Sequence, residues 1–132
     1  EGLRESWVGH VLPRGAFNLN KKVPKLRKNC IPVIGWVQDT LPRFLKEKEI
    51  IINFVHLDVD TYESTKFILK NIKPHLKDQA FIVFDELYNF SGWKVGEYKA
   101  LTEILNDKEY SFIGFGTGNG RNAVIQYNKI ES

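Results

Sequence analysis

Ile50-Ile-Ile-Asn-Phe-Val-His-Leu-Asp58-Val-Asp60-Thr-Tyr-Glu63 is the stretch on which the fold turns. Ile50, Ile51, Ile52, Phe54, Val55 and Leu57 form a nearly continuous apolar run that stops at Asp58. Such a run suits a strand buried on both faces, as parallel sheets require. Asp60 and Glu63 then make a capping-box pattern, and Ile68, Leu69, Ile72 and Leu76 follow at helical spacing, with Pro74 near the end. Ala80 to Phe84 reads as a second buried strand, again ending in acid at Asp85 and Glu86.

Working outward, Ile31 to Val37 reads as another strand, and Thr40 is placed to cap a helix carrying Leu41, Phe44 and Leu45. On the other side, Tyr98, Leu101, Ile104 and Leu105 form the inner face of a helix. Tyr110–Phe115 and Ala123–Tyr127 follow as two strand-like runs. The link between them is too short for a crossover helix, so they pair antiparallel. Strand and helix alternate, then a hairpin closes the series. The expected fold is an α/β, doubly wound, mostly parallel sheet with a C-terminal antiparallel hairpin and helices on both faces.

The chain has 132 residues and a formal charge of +3, which suits one domain. Residues 1–30 are expected to be an irregular loop region and 31–132 the α/β core. The basic run Lys21, Lys22, Lys25, Arg27, Lys28 reads as a solvated loop, with a phosphate-bearing ligand as the alternative. No basic stripe interleaves with aromatics, so nucleic acid is not expected as a partner. Cys30 stands alone, no long apolar span exists, and a cytoplasmic location without membrane attachment is expected. The sequence contains no methionine and opens as if mid-loop, so residues before Glu1 are expected.

Gly116-Thr-Gly-Asn-Gly120 looks like a dinucleotide fingerprint, but a strand follows it where that motif needs a helix N-terminus. It reads as a flexible hairpin loop. The chemistry is expected instead at the strand ends, because ligands of open α/β sheets bind outside the carboxyl ends of the strands. If the strands ending at Asp58 and Asp85 are neighbours, Asp58, Asp60, Asp85 and Glu86 converge. Their repulsion then calls for a counter-charge. No nearby segment offers an obvious arginine, and a hard divalent cation such as Mg²⁺ prefers oxygen ligands of this kind. Asp39, Glu97 and Glu103 read as caps or exposed helix positions. His56 reads equally as a core histidine or a functional one, His10 as an acceptor-side base, and His75 as exposed.

Several segments together resemble one family. His56-Leu-Asp-Val-Asp-Thr-Tyr-Glu-Ser-Thr65, Phe81-Ile-Val-Phe-Asp-Glu-Leu-Tyr88 and Gly92-Trp-Lys-Val-Gly-Glu-Tyr-Lys-Ala-Leu101 are similar to the macrocin O-methyltransferase family of class I methyltransferases. Glu1-Gly-Leu-Arg-Glu-Ser-Trp7 and Gly35-Trp-Val-Gln-Asp-Thr-Leu-Pro42 fit in the same order. The resemblance implies a Rossmann-like domain whose first strands and glycine-rich cofactor loop lie before Glu1. It further implies S-adenosylmethionine as cofactor, met by Gln38, Asp39 and Asp58. Mg²⁺ on Asp58, Asp85 and Glu86 and a small-molecule or sugar hydroxyl as acceptor complete what the resemblance implies; the sheet edge left open by the missing first strand leads separately to the expectation of a homo-oligomer. Asp58 and His10 are the expected catalytic residues. The alternatives are a non-catalytic methyltransferase-like fragment and a haloacid-dehalogenase-type phosphatase, whose nucleophile motif Asp58-Val-Asp60 resembles.

Overall fold

The computed structural model describes residues 13–16 and 18–130. Helix α1 spans Val37–Lys48, strand β1 Ile52–Leu57, and helix α2 Tyr62–Ile72, followed by a 3₁₀ turn at Lys73–His75. Strand β2 runs Leu76–Phe84, helix α3 Glu97–Ile104, and strands β3 and β4 span Tyr110–Phe115 and Ala123–Tyr127. The strands form one sheet in the order β1-β2-β4-β3. β1 and β2 are parallel, while β4 pairs antiparallel with both β2 and β3. The expected parallel pair and terminal hairpin are therefore present, with the last strand lying between β2 and β3.

Burial alternates along the sheet as a two-residue period demands. Leu57, Ala80, Ile82, Phe84, Ala123, Ile125 and Tyr127 face inward and are buried. They meet Leu45 of α1, Ile68, Leu69 and Ile72 of α2, and Ala100 and Leu101 of α3 in one core. The helices form a single layer, α2 packing against both α1 and α3. Helices on both faces were expected; among the described residues only one face is covered. On the other, Phe54 and Phe81 of neighbouring strands stand in register and exposed.

The strand expected over 31–37 is absent. Residues 31–36 carry no strand or helix, and Ile31 and Ile34 are exposed. No described strand offers this segment a backbone partner, and Pro32 has no N–H to give. The backbone of its C-terminal end turns into helix instead: Asp39 and Thr40 both donate their N–H to the Trp36 carbonyl. Thr40 is consequently inside α1, its Oγ1 donating to Trp36 O at 3.0 Å, and the N-cap is Trp36. The cap of α2 also moves by one residue. Thr61, not Asp60, accepts the Ser64 N–H, while Asp60 takes a left-handed backbone with φ 60°. That frees the Asp60 side chain from the helix end.

Candidate functional site

The parallel register Leu57↔Phe84 sets the geometry at the carboxyl edge of the sheet. Asp58 and Asp85 each lie one residue beyond this pair, and the Asp85 N–H donates to the Leu57 carbonyl at 3.0 Å. The two acid-ended strands are thus neighbours, as expected. Alternation carried past Phe84 then separates what the sequence puts side by side. Asp85 belongs with the open face, where its Oδ1 lies 3.4 Å from Nε2 of His56. Glu86 belongs with the helix face, where its Oε1 lies 3.9 Å from Nη1 of Arg121 and its N–H donates to Oε2 of Glu97 at 3.3 Å.

Glu97 is the residue that sequence reading misplaced. Expected as a cap or exposed position, it is only 2% exposed. The signal was available: position 97 precedes Leu101 by four residues and Ile104 by seven, so it shares their inward stripe. Burial raises its pKa to about 8, with Glu86, Asp60 and Asp85 adding to the effect against the hydrogen bond from the Glu86 N–H. Glu86 is raised to about 7, first by burial and then by Asp60 and Asp85, with Arg121 opposing. Asp60 is raised by burial and by Asp58, with Glu86 opposing and Asp85 adding to the rise. Glu86 Oε2 and Glu97 Oε1 are buried and no donor reaches them. Glu97, the more deeply buried of the two, keeps its proton near neutral pH.

The glycine-rich segment supplies the cation that sequence reading did not find. Residues 116–121 are pinned rather than loose. Gly116 N–H donates to Asn122 O, and Gly120 N–H to Thr117 O. Asn89 Nδ2 donates to Gly118 O and Gly120 O, and Tyr88 Oη to Gly116 O at 2.6 Å. The Arg121 carbonyl accepts from both Leu87 and Tyr88 N–H, so the loop is sewn to the segment that carries the acids. Glycine is needed where the loop's two arms touch: a Cβ on Gly120 would sit 2.8 Å from Gly116 Cα. Gly120→Ala should therefore cost roughly 1–3 kcal/mol of stability by forcing the arms apart, as overpacking does; an unchanged denaturant midpoint would show that the loop yields freely.

The remaining expected residues divide. Gln38 and Asp39 stand in the first turn of α1; Asp39 is exposed, and Gln38 Oε1 is buried without a hydrogen-bond partner. His10 lies outside the described residues. His56 is an exposed strand residue, neither buried in the core nor isolated. His75 is half-buried, its Nδ1 3.1 Å from Ile50 O. Asp58, Asp85 and Glu86 do not gather around one point: among the described residues, no group of three or more His, Cys, Asp or Glu side chains can hold a metal ion. Asp85 is engaged by His56 and Glu86 by Arg121 instead. No helix among the described residues is long and apolar enough to cross a membrane.

With this geometry in view, comparison with known proteins is specific. Residues 7–87 match the model of a methyltransferase domain family. The chain belongs to that methyltransferase domain family. Two solved structures are similar to the domain, each at 30% identity and a TM-score of 0.63 over 74% of this chain. One is the apo structure of CalS11, described as a TDP-rhamnose 3'-O-methyltransferase of calicheamicin biosynthesis, and the other is CalS11 described as the calicheamicin methyltransferase. This methyltransferase domain spans 42% and 37% of those two chains, so it corresponds to about two fifths of their length. Comparison with curated protein sequences gives no match. Family membership displaces the phosphatase reading of Asp58-Val-Asp60.

Proposed function

We propose that this domain takes part in S-adenosylmethionine-dependent methyl transfer to a hydroxyl group of a small molecule or sugar. The observation that carries the reading is the parallel pair β1–β2, which brings Asp58 and Asp85 side by side at the carboxyl edge, within a chain that matches a methyltransferase domain. The CalS11 structures, whose description names a TDP-linked sugar, favour an acceptor of that class.

The cofactor fits the residues present. The orphaned Gln38 Oε1 is a buried acceptor with nothing to accept, and a bound adenine amine would satisfy it. Asp39, exposed in the same turn, and Asp58 at the end of β1 would be its further polar contacts. When bound, S-adenosylmethionine supplies an activated methyl group on a sulfonium. Catalysis then consists mainly of alignment and of removing the acceptor's proton. Asp58, exposed at the edge, is the base we assign to that proton. A divalent metal does not fit, since the carboxyls diverge, and no step is derived through one.

Calorimetric titration of the protein with S-adenosylmethionine tests the reading. Binding should weaken by about tenfold in Gln38→Ala, the cost of roughly one hydrogen bond to a buried partner. Asp58→Asn should lower the turnover of a nucleoside-diphosphate sugar by about 10²-fold or more, as loss of a general base does. No measurable cofactor binding by the protein would sink the proposal.

A further inference from the structure

We propose that Arg121, delivered by the glycine-rich hairpin loop, is the fixed counter-charge of the acid corner and the positioning residue for Glu86, in the place a divalent cation would otherwise take. The inference stands whether or not the domain takes S-adenosylmethionine, and its test uses neither cofactor nor acceptor.

Asp58, Asp60, Asp85, Glu86 and Glu97 lie along this edge, and Asp60, Glu86 and Glu97 are each raised in part by the charge of others in the set. Among the described residues, two basic side chains are placed against them, His56 beside Asp85 and Arg121 beside Glu86. His56 carries charge only when protonated. Arg121 is charged at every physiological pH. Its position is not left to a flexible side chain alone. The backbone of residue 121 is held by two N–H donors from the acid-bearing segment, and Phe90 lies under the guanidinium at 5.4 Å. The loop is thus built to present one permanent positive charge to Glu86.

The same contacts explain why the carboxyls are not arranged as metal ligands. Glu86 is engaged by Arg121, and Asp85 by His56 on the opposite face. A cation binding Asp85 and Glu86 together would have to break both arrangements. Removing the arginine charge should reverse this preference, because Glu86 would then lose the fixed cation beside it.

The test is thermal melting of the protein with and without MnCl₂ at about 1 mM, for the wild type, R121K and R121Q; a ligand that binds only the folded state raises the melting temperature in proportion to its affinity. Wild type should melt at the same temperature with and without manganese. R121Q should melt lower and be raised by manganese, with an apparent affinity at least about tenfold above wild type, and R121K should melt close to wild type because it keeps the charge. Manganese stabilising wild type as strongly as R121Q, or R121Q showing no gain in its response to manganese, overturns the proposal. If R121Q does not fold, the double variant E86Q/R121Q decides. It should fold and melt close to E86Q, since the acid that needed compensation is gone; failure of the double variant to fold also overturns the proposal.

Discussion

Glu97→Gln should make the protein more stable at pH 8 by roughly 2–4 kcal/mol and leave it nearly unchanged at pH 4. In the folded protein burial lifts the Glu97 pKa to about 8 from its ordinary 4.5. The sign follows from proton uptake. Below pH 4.5 the carboxyl is protonated in both states and contributes no pH dependence. Between 4.5 and about 8 the unfolded chain gives up its proton while the folded chain keeps it. The folded state then binds more protons, so stability falls as pH rises. The loss is complete once the folded group also ionises. Glutamine is close in shape, keeps an oxygen for the Glu86 N–H and has nothing to titrate, so the slope assigned to Glu97 should vanish. Urea unfolding at several pH values measures this directly. Equal pH slopes for wild type and variant would mean that Glu97 is ionised in the folded state. Glu86, raised to about 7 in the same direction, should leave a smaller residual slope in the variant.

Phe84→Ala should destabilise the fold by about 3–5 kcal/mol, the range for removing a buried aromatic ring. Phe84 has no exposed surface and sits at the centre of the sheet, in register with Leu57 on one side and Ala123 on the other. It therefore touches the structure through both the parallel and the antiparallel pairing, and the acids begin at the next residue. The cavity left behind would lie directly beneath the functional edge. Ile113→Ala in the irregular part of β3 makes the comparison fair: Ile113 is 52% exposed, and its loss should cost less than about 1 kcal/mol. Equal denaturant midpoints for the two variants would place the core elsewhere.

Much of the fold was legible because strands buried on one or both faces write themselves as apolar runs. Ile50–Leu57 and Ala80–Phe84 gave two neighbouring strands, and the short link before Ala123 required a hairpin. The run Ile31–Val37 has the same appearance, yet it forms no strand. A strand is a property of a pair, and composition alone does not say whether a partner is present. Cap positions were legible only to within a residue, since Asp60 and Thr61 are both good caps and the choice between them is made by tertiary contacts. At the site, adjacency of Asp58 and Asp85 followed from the parallel topology. The divergence of Asp85 and Glu86 followed from strand alternation, a rule available from sequence but not applied past the strand's end. Arg121 was out of reach. It lies 35 residues from Glu86 in a loop whose composition suggests slack, and only the pairing of β4 with β2 reveals its place.

That pairing also fixes an order of events during synthesis. The acids at positions 58, 60, 85, 86 and 97 all leave the ribosome before residue 121, and β2 is complete long before β4 exists to pair with it. For the time it takes to translate about forty residues, on the order of seconds, the nascent domain carries a half-made sheet with an open edge and a cluster of like charges. Local contacts within α2 and between α2 and β1 can form early, but the corner cannot be neutralised by its own arginine until this late, non-local contact is made. The domain should consequently acquire its helical layer first and its functional edge last. Any factor that shields unpaired strands or acidic clusters on emerging chains would act during that interval.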